Sequence, residues 1–198
     1  MKKEHILIII LIFIAVITYF IITKSQEPPV LGDVHKHADF KVYINGEAYN
    51  FSQEKYMSSK NKTLSNFIHL HDMDGTIIHQ HMSTITLGQF FQSLEMKFNE
   101  TCFVLDNGTS YCNNQEKTLK FYVNGKINHQ FGKYEFNDLD RILISYGSED
   151  ESIINKQIES VTDNGCIQSK KCPEKGEPGD ESSCATGDEK CLEVTGHG

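Results

Sequence analysis

Six of the nine histidines in this chain fall into three His-x-His units: His35 and His37, His69 and His71, His79 and His81. On a β-strand, residues i and i+2 project from the same face about 7 Å apart at Cα, a spacing from which two imidazoles can converge on one ion. Each unit is therefore a ready-made pair of metal ligands. Imidazole suits zinc, copper, nickel and iron, and the general order of affinity puts Cu(II) ahead. Copper or zinc is the ion these residues point to. Asp39, Asp72 and Asp74 lie close by in the chain and can bind the ion or orient an imidazole through its other ring nitrogen. A solvated strand face, or a cluster that responds to pH, would also carry outward histidines. Three repeats of one spacing in 47 residues favour a metal, because imidazoles protonated together repel one another. Calcium fits poorly: Asp72-x-Asp74-Gly75 opens like a calcium loop, but Ser83 stands where the bidentate glutamate is needed.

The elements that must position these residues are β-hairpins. Alternation from Ala38 to Phe51 around Asn45-Gly46 gives the first; Phe40, Val42 and Ile44 share a core face with Tyr49 and Phe51, while His35, His37 and Asp39 point the other way. Phe67 to Met82 gives the second. A turn with an odd number of residues there puts His69, His71, His79 and His81 on one face, with Ile68, Leu70 and Ile78 on the other. The three-residue turn Met73-Asp74-Gly75, with Gly75 left-handed, meets that condition. All six histidines then meet if the two hairpins adjoin. Cys102 to Cys112 forms a third hairpin around Asn107-Gly108, with the cysteines facing each other for a cross-strand disulfide, and Leu119 to Ile127 a fourth around Asn124-Gly125.

Thr86-Leu-Gly-Gln89 reads as a capping box opening the main helix, whose packed stripe is Leu87, Phe90, Phe91, Leu94 and Phe98. Arg141 to Tyr146 reads as a buried strand. Ser148 with Glu151 starts a short helix carrying Ile154, Ile158 and Val161, stopped at Asn164-Gly165. The expected class is α+β, mostly antiparallel β-hairpins with one main helix packed on the sheet, after an N-terminal transmembrane helix.

That last element is Ile6 to Ile22, 17 residues in which only Thr18 and Tyr19 carry polar atoms, flanked by Lys2, Lys3 and Lys24. It lies near the short end of what crosses a hydrocarbon core of about 30 Å. Thr23-Lys24-Ser25 is a poor cleavage site, so an uncleaved anchor is expected, with a cleaved signal peptide as the alternative. Lys2 and Lys3 keep the N-terminus cytoplasmic and put the rest outside, which makes a single-pass protein of the cell membrane with the lipid bilayer as a partner. The chain divides into an anchor (1–24), a linker with Pro28-Pro29 (25–34), a His-rich α+β domain (35–147), a short helix (148–164) and a Cys-rich tail (165–198). All six cysteines follow the anchor, as an oxidising compartment and disulfides require. The pairing of Cys166, Cys172, Cys184 and Cys191 stays open, and a zinc site made by all four is the alternative to two disulfides.

A formal charge of -8 with Arg141 as the single arginine leaves no basic stripe and excludes nucleic acid as a partner. The strings His37-Ala-Asp-Phe, Ile68-His-Leu-His-Asp-Met-Asp-Gly, Thr86-Leu-Gly-Gln-Phe-Phe and Asp138-Leu-Asp-Arg-Ile-Leu-Ile-Ser-Tyr-Gly resemble an uncharacterised family of exported, membrane-anchored archaeal and bacterial proteins with repeated His-x-His motifs. The resemblance covers about residues 35–147 and implies export, with no activity attached. The expectation is a membrane-anchored extracytoplasmic module that binds copper or zinc through its histidine face. Its rivals are a metal-dependent enzyme with an open coordination position and a metal-free subunit docked on a membrane-protein partner.

Overall fold

The computed structural model describes residues 3–24, 32, 34–59 and 62–178. Most of the linker, including Pro28-Pro29, and Cys184 and Cys191 lie outside the described residues. The helices are α1 (Lys3–Lys24), α2 (Leu87–Ser93), α3 (Glu151–Ser160) and α4 (Gly165–Gln168). The strands are β1 (Lys36–Ile44), β2 (Glu47–Ala48), β3 (Ile68–His69), β4 (Ile77–Gln80), β5 (Lys97–Phe98), β6 (Cys102–Val104), β7 (Ser110–Cys112), β8 (Thr118–Val123), β9 (Lys126–Ile127) and β10 (Arg141–Gly147).

Asn45 and Gly46, at φ 51° and 83°, both take the left-handed conformation that a two-residue hairpin turn needs, and β2 folds back on β1 with Ile44 opposite Glu47. Asn124 and Gly125 do the same between β8 and β9. The main sheet runs β3-β4-β1-β10-β8-β9, with β2 on β1. Every pairing is antiparallel except β1 with β10, so the class is α+β with a mixed, mostly antiparallel sheet. A smaller sheet, β5-β6-β7, carries the expected disulfide: Cys102 faces Cys112 and is bonded to it, with Gly108 left-handed in the turn.

One face of the main sheet holds the core. Phe40 and Val42 of β1, Ile142 and Ile144 of β10, Phe121 of β8 and Ile78 of β4 pack there with Leu87, Phe90 and Phe91 of α2. The capping box forms as expected: Gln89 N–H donates to Thr86 Oγ1, and Thr86 N–H to Gln89 Oε1. The helix is shorter than the apolar stripe, because Glu95 turns left-handed at φ 61° and sends Phe98 into β5. On the other face α3 packs Ile154 and Val161 against Leu143. Its cap is Asp150, whose carboxylate accepts from Ile153 N, and not Ser148. Ser148 is exposed and sits two residues too early.

The apolar N-terminal run is helical, and its side chains from Ile9 to Tyr19 are exposed. Among the described residues no helix is long and apolar enough to cross a membrane.

Candidate metal centre

Strand register assembles the histidines. His69 of β3 lies opposite His79 of β4, and His37 of β1 lies opposite His79 on its other side. The three therefore form one row across three strands, on the face opposite Ile68, Ile78 and Ala38. His81 continues β4, its N–H donating to Phe67 O at 2.8 Å, and its ring meets that of His35 at 4.7 Å between centroids. His71 follows β3, its ring 3.9 Å from that of His79. The hairpin is centred on Asp74, as the parity of the histidines requires. The turn residues differ from expectation, however. Asp72 and Met73 are left-handed, at φ 55° and 59°, and Gly75 is not. Gly75 is instead where the backbone of Phe51 and Ser52 passes, only 2.3 Å from where a Cβ would stand.

The six rings form one connected cluster, with neighbouring centroids 3.9 to 6.2 Å apart. Four-coordinate Zn(II) with imidazole ligands keeps ring centroids about 5 Å apart, so the spacing matches a coordination sphere. His37, His69, His71 and His79 are buried, His81 half-buried and His35 exposed, which leaves His35 at the mouth. Burial, reinforced by the other rings, favours the neutral form of His37, His69, His79 and His81. It lowers His69 to about 4, His37 to about 3 and His81 to about 2, and takes His79 well below the ordinary value.

A neutral ring has one N–H and one lone pair, and the surroundings decide which nitrogen has which. His69 Nδ1 lies 3.0 Å from Ser65 O, which only accepts, so Nδ1 bears the hydrogen and Nε2 the lone pair. At His37 the partner is Ser169 Oγ, 2.7 Å from Nδ1. Ser169 donates its single hydrogen to Asp138 Oδ1 at 2.6 Å, so it accepts from His37, and the lone pair is again on Nε2. The Nε2 atoms of His37, His69 and His81 are buried and have no hydrogen-bond partner among the described residues. A buried acceptor left unpaired costs about 1–3 kcal/mol, and a cation would satisfy it. His71 Nδ1 donates to Asp72 Oδ2 at 2.8 Å, and its Nε2 is hydrogen-bonded to His79 Nδ1 at 3.1 Å.

Of the three carboxylates expected beside the imidazoles, Asp72 bonds one of the rings, that of His71. Asp39 instead accepts from Thr162 Oγ1, Asn164 N and Gly165 N, tying the segment that follows α3 to β1. Asp74 accepts from Thr76 N and Oγ1 and shapes the turn. Asp138 was not foreseen: it bonds His37 N and Ser169 Oγ through Oδ1 and Lys171 Nζ through Oδ2. Burial opposes its ionisation, but those hydrogen bonds hold its carboxyl below the usual range. Ser169 comes from the Cys-rich segment, where Cys166 is bonded to Cys172, which takes both out of a four-thiolate zinc site. Among the described residues, no three His, Cys, Asp or Glu side chains already stand around a point that would hold an ion. Closing a sphere requires the imidazoles to swing about their side-chain torsions.

Comparison of the chain with protein-family models, with curated proteins and with solved structures finds no match to any of them.

Proposed function

We propose that this chain is a membrane-anchored protein that binds copper or zinc outside the cytoplasm, through the imidazoles of the β3-β4-β1 face. The observation that carries the reading is the set of three buried Nε2 atoms, on His37, His69 and His81, that have no hydrogen-bond partner among the described residues. On His37 and His69 the hydrogen is held on Nδ1, so each offers a lone pair without losing a proton. His35, at the exposed edge between His37 and His81, completes a set of four, the number a tetrahedral site takes. His71, with Nδ1 on Asp72 and Nε2 on His79, joins only if the bond to His79 opens, whereas His79 is held in that bond through Nδ1 alone. Zn(II) and Cu(II) both accept imidazole. The anchor reading is supported by the apolar run Ile6–Ile22 with lysines at both ends, and the disulfides suit an oxidising compartment.

The test is elemental mass spectrometry on the untagged full chain from detergent-extracted membranes, beside a variant with His37, His69 and His81 changed to Ala. Circular dichroism monitors the fold. Copper or zinc near one per chain, lost in the variant, is expected. No metal in the folded wild type after loading with either ion overturns the reading in favour of a metal-free interaction domain. Resistance of the chain to alkaline carbonate extraction checks the anchor; release would show that the N-terminal helix does not hold it.

A further inference from the structure

The Cys166–Cys172 disulfide closes a loop of the Cys-rich segment, and Ser169 is inside that loop. The loop start is fixed on β1 by Asp39, which accepts from Thr162, Asn164 and Gly165. A Cβ on Gly165 would stand 2.9 Å from Asp39 Oδ2 and 3.5 Å from His37 O, so the chain passes hard against the strand that carries His37. Beyond Ser169, Lys170 is left-handed at φ 54° and turns the chain back, and Lys171 N–H closes the turn on Cys166 O at 2.8 Å. Cys172 is buried and bonded to Cys166. Besides the disulfide, the far side of the loop is tied to the domain by Ser169 Oγ, between His37 and Asp138, and by Lys171 with Asp138; that lysine is more than half exposed, so the ion pair holds weakly.

Resting on the metal-site reading above, we propose that this disulfide is a redox gate on the histidine site. Oxidised, it holds Ser169 Oγ between His37 Nδ1 and Asp138, which keeps the Nε2 lone pair of His37 turned to the ion. A dithiol reductant opens the gate. Its thiolate attacks one sulfur of the pair, its second thiol resolves the mixed disulfide, and it leaves as a cyclic disulfide. Two electrons and two protons pass to Cys166 and Cys172. The loop is then free to leave, His37 Nδ1 loses its acceptor, and the ion is held less tightly. Removing such a supporting partner costs about 10–100-fold in metal affinity.

Three full-chain variants test this: Ser169→Ala, the pair Cys166→Ser with Cys172→Ser, and as control the pair Cys102→Ser with Cys112→Ser. Serines replace the gate cysteines so that no new thiol binds the metal. Zn(II) affinity by chelator competition should fall about 10–100-fold in the first two and hold in the control. Nitrogen-15 NMR of the metal-free histidines gives a readout that needs no ion. His37 should change from Nδ1–H alone to a mixture of tautomers in the first two variants, while His69, held by Ser65 O, stays unchanged and reports an intact fold. If Ser169→Ala alone has an effect, the loop keeps its place without the disulfide and the gate is overturned. If His37 keeps Nδ1–H in both variants, it is overturned again. Wild-type chain that takes up no ion defeats the metal reading, and the tautomer result still decides whether the disulfide controls His37.

Discussion

An imidazole binds a cation only through a nitrogen that bears no hydrogen, so the decisive detail of this cluster is where each hydrogen is held. Spacing put each i, i+2 pair on one face of its strand, and the pairs meet because β4 adjoins β1. It could not show which nitrogen each would offer. That is set for His37 by Ser169 and Asp138, which lie 132 and 101 residues further along the chain and belong to no periodic pattern. Two predictions belong at this scale. Changing Asp72 to Asn removes the charge that orients His71 through Nδ1, and Zn(II) affinity should fall about tenfold by chelator competition if His71 joins the ion. Unchanged affinity would place His71 outside the ligand set. The second concerns pH. Burial lowers the folded-state values of His69 and His37 to about 4 and about 3, below the ordinary 6.5 of the unfolded chain. The unfolded state therefore takes up protons first as pH falls. The stability of the metal-free protein should be full above about pH 6.5 and decline toward pH 4, by about 1.4 kcal/mol per pH unit for each proton taken up. Melting temperatures measured with chelator between pH 7.5 and 4.5 should fall, and a flat profile would mean that these rings are hydrated.

Among the elements, the hairpin from β3 to β4 shows how local signals succeed and fail. Its register follows from the histidines and the apolar residues alternating with them, because a slip of one residue would send His69 and His79 into the core. The role of Gly75 did not follow. Asp-Gly suggests a left-handed glycine, yet the residue is small here because another strand's continuation crosses it, and no local pattern reports a crossing. Gly75→Ala should accordingly cost about 1–3 kcal/mol or more in urea unfolding, since backbone and not a movable side chain occupies the space. A neutral result would mean that the Phe51–Ser52 segment yields. The same limit applies to α2: its start was legible in the capping box, whereas its end depends on Glu95 turning left-handed so that Phe98 can pair with Phe103 in β6.

At the scale of the whole molecule, the class was legible and the strand order was not. Each of the four expected hairpins announces itself through a turn between two alternating runs, whereas the β5-β6 hairpin, in which Phe98 faces Phe103, was read as the end of the main helix. β10 has no hairpin partner, and nothing in its sequence says that it lies between β1 and β8 or runs parallel to β1. The small β5-β6-β7 sheet is stapled by Cys102–Cys112 across a separation of 10 residues. Changing both cysteines to Ser should lower global stability by about 3 kcal/mol while metal binding persists, because neither touches the histidine face. Loss of the metal in that variant would mean that the two sheets fold only together.

The position of β10 also bears on the order in which the protein is made. All six clustered histidines have been synthesised by residue 81, but the strand that joins their half of the sheet to the β8-β9 half ends at Gly147. Until then β1 and β8 each present a row of unpaired backbone groups, the feature that draws stray chains into sheets. The time over which a nascent chain is exposed to wrong pairing is thus set by how quickly its last strand arrives.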